Sequence, residues 1–167
     1  MRLLFSVIII CILSFSANSQ RMGDLSVGAG VGLAYGGLGG QINYQIFDEW
    51  GLYGGAGSAL IGFGYNIGTR VAVKSNRRDV YFVDFLYGYN ATIDYGSISK
   101  IYYGPSLGGS WSYYTKKKKS FWNVGLVIPF RSADFKEDKD QILISDGVSL
   151  IHFPVLVYAG FNILLNK

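Results

Sequence analysis

Cysteine is nearly missing from this chain of 167 residues: Cys11 is the only one, and it lies inside an N-terminal apolar stretch. Past that stretch, disulfides, thiol catalysis and cysteine-based metal sites are excluded. Histidine is equally scarce, since His152 stands alone, so a histidine triad or metal cluster has one candidate at most. Charged residues make up only 16% of the chain, and the net charge of +4 leans on one run, Lys116–Lys119. Such a run reads as a solvated turn, and no basic residues interleave with aromatics as a nucleic-acid platform requires. Long apolar runs are also lacking: beyond the N-terminus none approaches the ~20 residues of a membrane helix. Yet the mean hydropathy, +0.25, is high for a water-soluble domain. A chain that is to cross a bilayer without membrane helices must do so as a closed barrel.

What the chain does have is glycine and aromatic rings, 23 Gly, 13 Tyr and 11 Phe, arranged with period two. The stretch Lys100 to Tyr114 shows it best. Ile101, Tyr103, Pro105, Leu107, Trp111 and Tyr113 share one face, and Lys100, Tyr102, Gly104, Ser106, Gly108, Ser110, Ser112 and Tyr114 the other. It is about 15 residues long, where soluble strands average ~5–6 and a tilted membrane strand needs ~9–11. The device recurs. Asp24 to Tyr35 sets Leu25, Val27, Ala29, Val31, Leu33 and Tyr35 against small or polar residues, and the pair Gly36-Gly37 predicts a hairpin turn. Further strands are predicted around Gln41–Ile46, from Trp50, over Tyr65–Lys74, Asp79–Ala91 and Ser120–Phe130, and over His152–Leu165. Eight strands result. The turns Asp48-Glu49, Ser75–Arg78 and Thr115–Lys119 fall on one side and are short and charged. The connections Ser58–Gly64, Thr92–Ser99 and the polar, solvated loop Arg131–Gly147 fall on the other.

Met1 to Ser19 reads as an export signal: Arg2, an apolar core Leu3–Phe15 and the small-residue site Ala17-Asn18-Ser19, which leaves 20–167 as one barrel domain. Two architectures fit such strands. A lipocalin-like carrier, secreted or periplasmic, turns its apolar face inward around a ligand. A membrane barrel turns it outward to lipid. The second face here is mostly Gly, Ser, Asn and Gln, too sparsely charged for a water-facing surface. Aromatics such as Tyr35, Trp50, Tyr87, Tyr89, Trp111, Tyr113 and Trp122 sit toward strand ends, where amphipathic rings prefer the bilayer interface. The expected fold is therefore all-β, an eight-stranded antiparallel up-and-down transmembrane β-barrel.

With its signal, eight amphipathic strands over Asp24–Leu165, short turns and glycine-aromatic composition, the sequence resembles the small outer-membrane β-barrels of Gram-negative bacteria, of the OmpX and OmpA-barrel kind. The resemblance implies an outer-membrane location, lipid contact and insertion by the barrel-assembly machinery. Many members end in an aromatic residue; this chain departs from that, with Asn162 to Lys167 following Phe161.

An eight-stranded barrel has room only for its own side chains, so a diffusion pore is not expected. Arg70, Lys74, Asp84 and Lys100 are the expected inward charges, forming a lumenal ion-pair network. For catalysis, His152 with Ser149 or Asp146 is the only constellation, and it is too sparse to predict an enzyme. Gly28–Gly32 lacks the third glycine and the strand-to-helix setting of a nucleotide loop. Asp138 and Asp140 lack the glycine and terminal glutamate of a calcium loop. No cofactor or metal is expected. The function expected is a structural, envelope-integrity or surface-interaction role through the outer loops, with an envelope or extracellular protein as partner. The carrier of an apolar ligand is the alternative.

Overall fold

The computed structural model describes residues 23–96, 98–146 and 153–166. The period-two segments form eight antiparallel strands: β1 (Leu25–Gly32), β2 (Gly37–Gln45), β3 (Trp50–Ser58), β4 (Phe63–Ser75), β5 (Asp79–Tyr95), β6 (Ile98–Tyr114), β7 (Ser120–Pro129) and β8 (Leu156–Leu164). Each strand pairs with the next, and β1 pairs with β8 through Val27 opposite Ile163, which closes the barrel. Closure removes the sheet edges that would otherwise be left unpaired.

The two faces separate as the alternation predicts. Outward go Ile42, Ile67, Phe85, Leu126 and Val157, each more than half exposed. Inward go Ser26, Gln41, Asn43, Asn66, Ser110, Ser112, Asn123 and Asn162, all buried.

Four local departures set the shape. The β1–β2 connection is not a plain hairpin: Leu33–Tyr35 forms a turn of 3-10 helix that folds into the lumen, where all three residues are buried. Gly32 (φ 104) and Gly36 (φ 70) make the fold-back possible, because L side chains rarely adopt such angles. Leu33 and Tyr35, expected on the outer face, are thus interior residues.

A β-bulge lies between Ala72 and Lys74 on β4. Val73 has no partner of its own, and Lys74 pairs with Tyr81, an outward residue, so the alternation slips by one.

β5 and β6, 17 residues each, run on through most of the segment expected as a loop, Thr92–Ser99. Their pairing continues to Tyr95 opposite Ile98, whereas β4 leaves β5 at Gly88 and β7 leaves β6 at Ser106. The hairpin therefore stands about 20 Å along the strands beyond its neighbours.

The fourth departure is the expected solvated loop Arg131–Gly147, most of which is a helix, α1 (Ala133–Asp146). The Ser132 hydroxyl caps it, accepting the Phe135 N–H at 3.3 Å, and Asp134 sits in the first turn, where negative charge is favoured. Phe135, Asp138 and Ile142 share one face and meet the inner side of the protruding hairpin at Ala91, Ile93 and Tyr102.

Candidate functional site

The lumen is built in layers. Toward the end bearing the short turns, Ala72, Val80, Phe82, Tyr114, Phe121 and Leu164 pack together. In the middle, the infolded Leu33–Tyr35 packs against Tyr53, Leu86, Val127 and Tyr158. Its backbone is satisfied by the wall: Gln41 Nε2 donates to the Ala34 carbonyl at 3.0 Å, and Asn66 Nδ2 donates to the Leu33 carbonyl. Tyr35 Oη accepts from Asn162 Nδ2 at 3.0 Å, and Asn162 Oδ1 accepts from Asn43 Nδ2 at 3.1 Å.

Glycines on the inner wall make room for these rings. A Cβ on Gly160 would lie 2.3 Å from Tyr35 Cζ, and one on Gly125 2.4 Å from Tyr158 Cζ. The small residues of the second face are thus the mould of an internal plug.

Between the layers lies one ion pair. Arg70 and Asp84 are direct cross-strand partners on β4 and β5, both facing inward. Arg70 Nε lies 3.5 Å from Asp84 Oδ1, with side chains 3% and 0% exposed. At that separation the two are paired by charge rather than by a hydrogen bond. Asp84 Oδ2 accepts the Tyr158 hydroxyl at 2.9 Å. The Arg70 guanidinium carbon sits 4.5 Å from the Tyr53 ring centre and 5.4 Å from that of Phe82, so aromatic faces add to its stabilisation. A gap of about 10 Å³ beside Arg70, bounded by Ser26, Asn43, Gln45 and Phe121 among others, is the size of a single water molecule.

The expected four-membered network therefore reduces to two. Arg70 and Asp84 meet in the lumen. Lys74 is turned to the exposed outer side by the bulge. Lys100 keeps the inner face, but above the closed part of the barrel, where it reaches α1.

There a second cluster forms. Lys100 Nζ lies 2.8 Å from Asp138 Oδ2, the same oxygen that accepts the Tyr102 hydroxyl at 2.6 Å. These hydrogen bonds, Lys100's first and Tyr102's second, hold the Asp138 carboxyl below its ordinary range. Phe135 meets Tyr102 edge to face at 5.2 Å. Arg131 Nη2 donates to the Phe153 carbonyl at 2.7 Å, tying the two ends of the β7–β8 crossover together. This clamp departs from the solvated loop expected over the segment; its signal in the sequence is Phe135, Asp138 and Ile142 at helical spacing among charged residues.

Ser149 and His152 lie outside the described residues, as does the side chain of Asp146. Gly28–Gly32 is strand, and Asp138 serves α1 docking. Neither the comparison with protein-family models nor that with curated proteins finds a match for this chain, so the functional argument rests on the fold and its side chains.

Proposed function

We propose that this chain is an integral outer-membrane barrel that is exported by its N-terminal signal, resembles the OmpX and OmpA-barrel kind, and performs no catalysis. It would serve envelope integrity or surface interaction through the end that carries α1 and the β5–β6 hairpin. The observation that carries this reading is the outer wall. Aliphatic side chains at mid-wall are flanked by aromatics at both ends: Tyr65 stacked on Tyr103 (4.9 Å) at one, Trp111 beside Tyr113 (5.9 Å) at the other. Tyr103 and Trp111 are eight residues apart on β6. That is about 27 Å along the strand and about 20 Å along the axis at a ~40° tilt, close to the ~25 Å apolar band of outer-membrane barrels.

A soluble carrier would need the reverse arrangement, with water on the outer wall and an apolar cavity inside. Here the interior is filled: packed clusters around Phe82 and Phe121 and around Tyr35 and Tyr158 enclose Arg70 and Asp84, with Asn, Gln and Ser side chains around the infolded turn. The outer wall, placed in water, would be a large exposed apolar patch.

Fractionation of expressing cells, with gel mobility of the membrane fraction before and after boiling, tests the reading. It predicts an outer-membrane protein that migrates faster unboiled. Recovery in a detergent-free periplasmic extract would overturn it and favour the carrier.

A further inference from the structure

The end with the short turns carries a concentration of positive charge that a structural role alone leaves unused. Lys74, Arg77 and Arg78 flank the β4–β5 turn, and Lys116–Lys119 form the β6–β7 turn. The two turns are neighbours, joined where the Tyr114 N–H donates to the Arg78 carbonyl at 2.8 Å. Among the described residues the ion pairs are Arg70–Asp84 and Lys100–Asp138, so none of these cations stands at ion-pair distance from a described carboxylate. Asp79, which opens β5, is engaged by the Trp111 indole N–H at 2.9 Å. The β2–β3 turn at the same end adds Asp48 and Glu49, yet the seven cations still outnumber the acids there, whereas at the opposite end α1 mixes acids and lysines.

The cations also have a fixed height. Arg78 Nη1 donates to Tyr113 Oη at 3.3 Å, holding the guanidinium beside the aromatic ring, and Trp122 is the cross-strand partner of Tyr113. The basic groups therefore lie just beyond the aromatic belt, the level at which headgroup phosphates meet a barrel.

We propose that this rim is a binding site for anionic phospholipid headgroups of the leaflet it borders, with Arg77, Arg78 and Lys116–Lys119 facing the phosphates. The inference rests on the membrane reading given above. Polybasic clusters beside a membrane span attract anionic lipid, and guanidinium groups bind phosphate through paired hydrogen bonds. The β6–β7 turn is held by its own backbone, Thr115 N–H to Ser120 carbonyl at 2.9 Å and Lys118 N–H to Thr115 carbonyl at 2.8 Å. Its lysines can thus be neutralised without undoing the turn.

The three tryptophans, Trp50, Trp111 and Trp122, all lie at this end and supply the probe. The full chain is refolded into phosphatidylcholine vesicles doped with a small fraction of brominated phosphatidylglycerol or, separately, brominated phosphatidylcholine. The expected result is several-fold stronger quenching by the brominated anionic lipid. The difference should vanish at 1 M salt, where the screening length falls to ~3 Å. It should also shrink in Lys116→Gln/Lys117→Gln/Lys118→Asn/Lys119→Gln, with Asn chosen because Lys118 has φ 51. Arg77→Gln, in a separate turn, gives an independent partial loss. Equal quenching by both lipids in the unaltered protein overturns the headgroup site while leaving the barrel in the bilayer. Quenching by neither overturns the membrane reading and this inference together. Binding of a soluble polyanion without any lipid preference assigns the rim to that polyanion and overturns the proposal.

Discussion

At the scale of the residue, the Arg70–Asp84 pair follows from two simple facts: the residues face the same way and stand opposite each other on adjacent strands. Alternation marks both as inward, which is why they are legible in the sequence. Lys74 is not, because an unpaired Val73 reverses the count, and nothing in the residue names announces a bulge. Replacing Asp84 by Ala leaves a fully enclosed guanidinium without its counter-charge. The expected loss is about 3–5 kcal/mol, read as a lower denaturant midpoint of the refolded barrel, and partly restored by adding Arg70→Met. An unchanged midpoint would show that the aromatic faces of Tyr53 and Phe82 suffice for Arg70. A second prediction concerns the mould. Gly125→Ala places a Cβ on the Tyr158 ring and is expected to destabilise by about 1–3 kcal/mol through overpacking. In a Tyr158→Ala background the same change should have little effect. Additive losses in the double-mutant cycle would contradict the contact.

At the scale of the element, strands were readable and their exceptions were not. Leu33 and Tyr35 keep the apolar period of β1, so the pattern continues smoothly into residues that have left the strand. The clue is the glycine spacing at 32, 36 and 37, which frees the backbone to turn inward. The helix α1 was concealed for a different reason. Its buried stripe is narrow, Phe135 and Ile142 with Asp138 between, in a segment dominated by charge, so composition argues for a solvated loop while the contacts favour a helix. Its docking carries a pH prediction. Asp138 titrates below its unfolded value of ~3.9, so its contribution is complete above that value and is lost as pH falls through the depressed one. The protection factors of the α1 amides, exchange rates corrected for their intrinsic pH dependence, should therefore stay high at neutral pH and fall below about pH 4. Asp138→Asn should exchange faster at neutral pH and lose the acid step. An acid step retained in that variant would assign it to another carboxylate.

At the scale of the whole molecule, the strand number and the broad separation of faces were present in the period-two pattern, because each depends only on which side a residue takes, while closure was expected from an apolar chain without a membrane helix. What fills the barrel was not, because it depends on where a loop goes. The infolded turn completes the picture of a filled barrel: an apolar wall, packed apolar clusters and a belt of polar side chains around one buried ion pair, and one elaborated end. A planar bilayer containing the protein should show no steady conductance, and replacing Leu33-Ala34-Tyr35 by Gly-Asn-Gly should introduce a measurable leak.

The central claim is that the apolar face of the barrel meets lipid. It is tested most directly by single spin labels on neighbouring residues of β5 in reconstituted vesicles, with Cys11 replaced by Ala. Labels at Val83 and Phe85 should be accessible to membrane-dissolved oxygen and shielded from a water-soluble nickel complex, and a label at Leu86 should be shielded from both. Strong collision of the nickel complex with Val83 and Phe85 would contradict the account, because it would put water where the account puts lipid.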